Sequence, residues 1–596
     1  MPRTLILTAA FFCLFMAACG NKPLPSDLSL NDTERRIILN YGRLLLDKND
    51  DRAAGLVFPE RIKSLKPPLI ITLFSDDGEM IATHRVDSPD LSIPEKLKSG
   101  IGYLRENHPI EPGTGYLHLM VVSYTARFAN FGIKGLFDYK IFEPMVTGLA
   151  YELNGKRVEI NPLQQLTLNK GAKSSRAYLA GQLGILPEEM PAYNDLVIEI
   201  YKVIHFGEAW PDRKFTNYFR GHRVFTMDEV SYETLMNRLK LIGQWYSNNV
   251  IDGEITYIYS PATGKYKNSE RTMVRSTIAT WIVNKLAYFL NDEKLKKLGE
   301  ESLHFYLERY FNMSESVKKG VLIPSTKPTE IGEIAENRYT TAGFLVAAII
   351  ERGELEKYSK EVELLMNWAM AHQKPDGILW TQFAQSQYFD PGQFLLVVSF
   401  LYEKTGDKRH LEFFEKSFHA YASQFKDMMH LQDETYAPIA PAWFTQPFAK
   451  MHRLTGDKKY SDMVFLINDR VVKWYELNAR YQVYYDYDGI LAPKPGFFGN
   501  NSITAASLES LADAAAVAKR EGDAARYKKY SEVIKRSTAY LMRLQFIPEN
   551  TYYIPHRERV MGGFKTDLID STVWCDNVWH TTSAMLKIYK YELLNP

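Results

Sequence analysis

Cysteine is almost missing from this chain: three residues in 596, at Cys13, Cys19 and Cys575. The first two stand in the leading apolar segment, so the body carries one thiol and has no disulfide framework. A chain of this length buries enough apolar surface to fold without one. A surplus of one charge is missing too, since 72 basic residues against 71 acidic ones leave +1. That excludes a strongly basic nucleic-acid binder. A hydrophobic share of 45% with 24% charged residues excludes a disordered or collagen-like chain. No long apolar run follows residue 16, so no second membrane-spanning candidate exists. The sequence also lacks HExxH, CxxC, GxSxG, a dinucleotide fingerprint and a phosphate-cradling glycine loop. We therefore expect no metal and no cofactor. Aromatic residues are what the chain has in quantity: 37 Tyr, 32 Phe and 9 Trp. Tyr and Trp join an apolar face to a polar handle, and so serve cores and wet clefts alike.

Arg3 and the short apolar run Thr4 to Met16 read as a secretory signal, too short for the ~20 residues that span a bilayer. The run ends Met16-Ala17-Ala18-Cys19-Gly20, which resembles a bacterial lipobox. The resemblance implies cleavage after residue 18 and lipidation of Cys19. Gly20 after the cysteine implies the outer membrane, facing the periplasm. Residues 19–29, with Pro23, Pro25, Ser26 and Ser29, read as a tether.

Residues 30–210 mix helix and strand. Asn31-Asp32-Thr33-Glu34 opens a helix; Pro68 to Phe74, Leu117 to Tyr124 and Asp195 to Ile204 read as strands. The order of helix, strand, Glu143-Pro-Met-Val-Thr-Gly148, Asn154-Gly155 and Asn161-Pro-Leu163 resembles the AmmeMemoRadiSam protein A family. That family's Leu-Arg-Gly-Cys-Ile-Gly signature is absent; Met80 to Arg85 stands in its place, so no site is carried over. We expect a small α/β module that packs or docks, with an envelope protein as its candidate partner.

Residues 211–596 are helical and repetitive. One phrase recurs: Lys404-Thr-Gly-Asp407, Leu454-Thr-Gly-Asp457 and Glu521-Gly-Asp523, with degenerate copies at Asn291-Asp292 and Gly353-Glu354. Gly ends one helix and Asp caps the next, so each phrase predicts a tight αα-hairpin. A helix near 231–249, five pairs between 271 and 545, and a last helix from 575 make twelve. The expected fold is mostly α: an (α/α)6 toroid preceded by a smaller α/β domain. The helical region resembles the six-hairpin glycosidase superfamily.

The first helix of each pair is rich in Ala, Ser and Gly and suits a crowded inner ring; the second is charged and suits an outer one. Inner helices then run the same way, and the loops before them gather at one mouth. Those loops carry aromatics beside amides, acids and arginines, the chemistry that stacks on sugar faces and holds hydroxyls. Arg271, Arg338, Trp380, Gln382, Gln393, Trp443, Gln446, Asn500, Asn501 and Trp574 are the binding candidates. Glu336, Tyr339, Tyr388, Asp390, Asp570, Asp576 and His580 are the catalytic candidates. Asp390 and Asp576 also suit N-caps, and Trp443 also suits a core.

The resemblance covers glucuronyl C5-epimerase C-terminal domains, uronyl hydrolases and polysaccharide lyases. It implies an enzyme acting on an acidic polysaccharide or oligosaccharide. Epimerisation or elimination needs a base beside the carboxylate and a cation to hold it; Tyr339, Tyr388 or Glu336 suits the first role and Arg271 or Arg338 the second. Hydrolysis needs two carboxylates, drawn from Glu336, Asp390, Asp570 and Asp576. A non-catalytic glycan-binding or scaffold lipoprotein in polysaccharide export or envelope assembly stays open beside it.

Overall fold

The computed structural model describes residues 28–129, 142–267, 273–313, 339–381, 384–430, 440–480, 482–493 and 501–595. Asn31 Oδ1 accepts the Glu34 N–H and Glu34 accepts the Asn31 N–H, and this capping box starts α1 (Asp32–Leu46). β1 (Leu69–Phe74) and β2 (Met80–Val86) follow, then α2 (Ile93–Asn107), β3 (Tyr116–Ala129), β4 (Thr147–Leu153), β5 (Lys156–Ile160), α3 (Pro162–Thr167), α4 (Ala172–Leu183) and β6 (Val197–Ala209). The strands pair antiparallel in the order β2-β1-β3-β6-β4-β5. The second half of β6 also pairs β7 (Lys214–Phe219), which turns into β8 (His222–Arg223). The sheet thus runs past the expected boundary at 210/211.

Alternation places this sheet between two bodies. Leu69, Ile71 and Leu73 of β1 join the core under α1 and α2, while Ile70 and Phe74 join the core of the helical body. Every residue of β1 is buried. Its apolar run, interrupted only by Thr72, follows from cover on both faces.

The helical body starts with α5 (Tyr232–Asn249). Five hairpins follow: α6 (Met273–Leu290) with α7 (Glu293–Met313), α8 (Tyr339–Arg352) with α9 (Ser359–Met370), α10 (Asp390–Thr405) with α11 (Lys408–His430), α12 (Ala440–Thr455) with α13 (Lys458–Ala479), and α14 (Asn501–Glu521) with α15 (Ala524–Leu544). α16 (Cys575–Tyr591) closes the chain. The even-numbered helices α6 to α16 pack each on the next, and α16 returns to α6, so six inner helices close a ring. The odd-numbered ones back them from outside, α5 behind α16. This is an (α/α)6 toroid.

The hairpin phrases work as their chemistry requires. Gly406, Gly456 and Gly522 sit at φ of 66°, 72° and 74°. Asp407, Asp457 and Asp523 then accept the N–H groups of Arg409, Lys459 and Arg526. Inner-ring crowding is visible at Gly392 of α10, where a Cβ would stand 2.7 Å from the Trp443 carbonyl oxygen of α12.

The α/β domain docks on the connections that lead into α14 and α16. Tyr552 stacks on His118 with ring centroids 3.9 Å apart and meets Phe74 edge-on at 5.2 Å. Its hydroxyl donates to the Gly221 carbonyl at 3.1 Å. Arg220, at the tip of the β7–β8 hairpin, is 2% exposed. Its Nε donates to Asp486 at 2.5 Å, and its Nη1 reaches Glu143 at 2.5 Å and the Pro144 carbonyl at 2.9 Å. Burial opposes its charge, but Asp486 and Glu143 hold the guanidinium pKa well above its ordinary value. Among the described residues no helix is long and apolar enough to cross a membrane.

Candidate functional site at the N-terminal mouth of the ring

Each of the first five inner helices is followed by an outer one that returns the chain, and α16 packs beside α14 and α6, so the six inner N-termini share one mouth. Asn501 opens α14 with its N–H on the Thr566 carbonyl at 2.7 Å and its Oδ1 accepting the Thr581 hydroxyl of α16 at 3.1 Å. Asp576, in the first turn of α16, lies 3.4 Å from Arg275 Nε of α6, across the seam where the last inner helix meets the first. The Arg275 guanidinium also covers the Tyr257 ring at 5.3 Å.

Trp443, one turn into α12, reaches Phe344 of α8 at 5.9 Å and Trp579 and His580 of α16 at 5.8 and 5.7 Å between centroids. α8 and α16 each stand two places from α12 round the ring. A side chain that touches both lies on the axis, so Trp443 plugs the ring; it is 1% exposed.

A chain of polar bonds runs along the axis from this plug. Glu509 binds His580 Nδ1 at 2.5 Å and accepts from Gln446 Nε2 at 3.2 Å. Lys587 Nζ donates to Gln446 Oε1 at 2.7 Å and to Asp513 at 2.6 Å, and the Tyr591 hydroxyl donates to Asp513 at 3.2 Å. Glu509, Asp513, Lys587, His580 and Gln446 are all buried. Charges this deep persist only when paired, and here each carboxylate has a donor. Glu509, against Nδ1, sets the orientation of the His580 ring.

Around the mouth several buried polar atoms have no hydrogen-bond partner among the described residues. They are Gln393 Oε1, Asn501 Nδ2, Asp576 Oδ1 and the indole N–H groups of Trp443, Trp574 and Trp579. All stand within the first two turns of α10, α12, α14 and α16, or just before α16. Each orphan of this kind costs about 1–3 kcal/mol. A mixed set of donors and acceptors beside indole faces suits a ligand rich in hydroxyls.

The remaining sequence candidates divide. Tyr339 opens α8, buried against His372 and Phe394. Asp390 is buried in the first turn of α10 and is not its N-cap; Phe389 holds that position, as Trp574 does for α16. The capping reading of Asp390 and Asp576 is therefore corrected. Tyr388 is half-buried in the turn before α10. Trp574 pairs with Ile258 in a short strand, its ring edge-on to Tyr257. Trp380 is exposed, 6.0 Å from the His372 ring. Asp570 stands at the domain junction: it accepts from Asn169 Nδ2 at 2.8 Å and from Thr572 N–H and hydroxyl at 2.9 and 2.6 Å. Gln446 lies below the Trp443 plug and lines a cavity at the other end of the ring. Arg271, Glu336, Arg338, Gln382, Asn500 and Cys19 lie outside the described residues.

Sequence reading missed Arg275, Glu509, Asp513 and Lys587. A signal was available for two of them: Glu509 and Asp513 are charges four apart, on one face of a helix rich in Ala, Ser and Leu. Among the described residues no group of three or more His, Cys, Asp or Glu is placed to hold a metal.

No family model and no curated protein matches the chain. Solved structures similar to it include a D-mannose isomerase, at 13% identity and TM-score 0.44 over 61% of this chain and 98% of that one. The GH76A α-1,6-mannanase of Salegentibacter sp. HEL1_6, with α-1,6-mannotriose bound, is 12% identical at TM-score 0.42 over 61% and 100%. The unsaturated glucuronyl hydrolase of Bacillus sp. GL1 is 12% identical at TM-score 0.42 over 59% and 96%.

Proposed function

We propose that the N-terminal mouth binds a polysaccharide or oligosaccharide of acidic type and modifies it by epimerase, lyase or hydrolase chemistry. The observation that carries this is the set of orphaned amide, carboxylate and indole groups on four neighbouring segments around one mouth. Arg275 supplies a cation beside them, and Arg271 and Arg338 precede α6 and α8 in sequence. Arginine offers a planar fork matched to a carboxylate. On this reading Asp576 and Arg275 hold the substrate across the seam, and Glu509 acts through His580 by orienting its ring.

A second reading, glycan binding without turnover, is favoured by the engagement of Asp570. That candidate acid is held at the domain junction by Asn169 and Thr572. We further propose that the protein sits in the cell envelope, anchored through a lipid on Cys19.

Product analysis on a panel of uronate polymers separates the two readings: new reducing ends, unsaturated products or changed C5 configuration mark the enzyme. Arg338→Ala is expected to weaken a uronate oligosaccharide about tenfold or more, as for loss of a charge-assisted hydrogen bond. A neutral oligosaccharide of equal length should change little. Equal losses for both would remove the case for an acidic ligand.

A further inference from the structure

The ring has a second mouth. Where the inner helices end, a cavity of about 640 Å³ opens, within the size range that encloses most of a small ligand. Its wall carries Lys285, Lys450, Arg453, Arg520, Lys587 and Lys590 against Glu351, Asp513 and Glu592. Most of these cations have an evident duty. Arg453, Arg520 and Lys590 stand in last helical turns, where cations answer the negative helix ends. Lys450 and Arg453 both bind Glu403, and Lys587 binds Asp513.

Lys285 is different. It stands more than a turn before the end of α6, and its ammonium lies 5.1 Å from the centroid of the Trp281 ring. No carboxylate is within ion-pair distance of it among the described residues. Trp281, Phe289 and Phe400 add aromatic wall around it. An ammonium without an ion-pair partner among the described residues, in a cavity whose wall carries more cations than carboxylates, suits a bound carboxylate, and Phe289 and Phe400 give the rest of the ligand apolar cover.

We infer that this C-terminal mouth is a second binding site, distinct from the N-terminal one. Its ligand is a carboxylated sugar, with the carboxylate on Lys285 and the pyranose against Phe289 and Phe400. The Trp443 plug separates the two mouths, so occupancy of one leaves the other open.

The site has a pH signature. Burial lowers the Lys285 pKa to about 8, with Glu351 of α8 and Asp513 and Glu509 of α14 raising it and Lys587 of α16 lowering it. Lys450 of α12 and Lys590 of α16 complete the charged surroundings. Lys285 is charged below pH 8 and loses its proton above it, so affinity for an anion falls between pH 7 and pH 9.

The test is calorimetric titration of the full-length protein with D-glucuronate, with D-glucose and inorganic phosphate as controls. We expect glucuronate to show two binding events per chain at pH 7: Lys285→Met should weaken one of them about tenfold or more and keep the other, and Asp576→Asn should spare the Lys285-dependent one. Lys285→Arg should keep the affinity and lose its fall toward pH 9. The inference is overturned if Lys285→Met keeps both events at the natural affinity, if Asp576→Asn removes the Lys285-dependent event, or if glucose binds that site as tightly. Phosphate displacing glucuronate at equal affinity would also overturn it, by reducing the site to a generic anion pocket.

Discussion

Arg220 gives the most direct test of how the two domains are held. Its guanidinium is the only cation within bonding distance of both Asp486 and Glu143 among the described residues, and its donors reach each at 2.5 Å. The rings of Phe219, Tyr484 and Tyr487 surround it at 5.2–5.5 Å, so water does not replace a lost partner. Arg220→Met keeps most of the side-chain bulk and removes the charge. It leaves Asp486, 6% exposed at its side chain, as an uncompensated buried carboxylate. Breaking one side of such a pair costs about 3–5 kcal/mol, whereas replacing the whole set by neutral groups costs far less. The triple variant Arg220→Met, Asp486→Asn, Glu143→Gln should therefore recover most of what the single variant loses. Urea unfolding followed by tyrosine and tryptophan fluorescence measures both. Losses that add to within about 0.5 kcal/mol would mean that the three side chains are energetically independent and that this cluster does not lock the domains.

Three further outcomes are expected from the same geometry and from the leader. His118 Nδ1 lies 3.0 Å from His205 Nε2 inside the domain interface, where burial lowers the His205 pKa to about 3 and His118 well below its usual value. Both are neutral in the folded state and protonate near pH 6.5 when unfolded, so their stabilisation is full above that pH and lost as pH falls. Each forfeits about 1.4 kcal/mol per unit. His205→Phe should flatten the decline in urea midpoint between pH 7 and pH 5; an unchanged slope would refute this. Lys587→Met strands the Asp513 carboxylate on the axis and should cost about 3–5 kcal/mol in urea unfolding, with Asp513→Leu added on top restoring part of it. Cys19→Ser should move the protein from the membrane fraction to the soluble one; continued sedimentation with membranes would end the lipid-anchor reading.

The ring was legible in the sequence because its punctuation is local. Gly406 ends α10 in the left-handed conformation and Asp407 caps α11, and both requirements are met within a few residues. The same holds for Asn31 and Glu34 at the start of α1. The axial chain was harder to read, because His580 and Glu509 are 71 positions apart and Gln446 and Lys587 are 141 apart. No spacing within one helix reports a contact made across a ring. Trp443 shows the limit most clearly. Its place one turn into an inner helix was readable, yet whether it faced ligand or axis depended on Phe344 and Trp579, two helices away on either side. Asp570 was misleading for the opposite reason: its partner Asn169 lies in the other domain, 401 positions away.

The two-sided burial of β1 bears on how the chain is made. Phe74 leaves the ribosome about 480 residues before Tyr552, the ring that meets it edge-on. At roughly 5–20 residues per second that interval lasts from about half a minute to more than a minute and a half. Through it the sheet face that carries Ile70 and Phe74 waits for the last part of the helical body that covers it. The nascent α/β module is therefore a client for a holding chaperone, and a fragment ending before residue 545 should carry that need permanently.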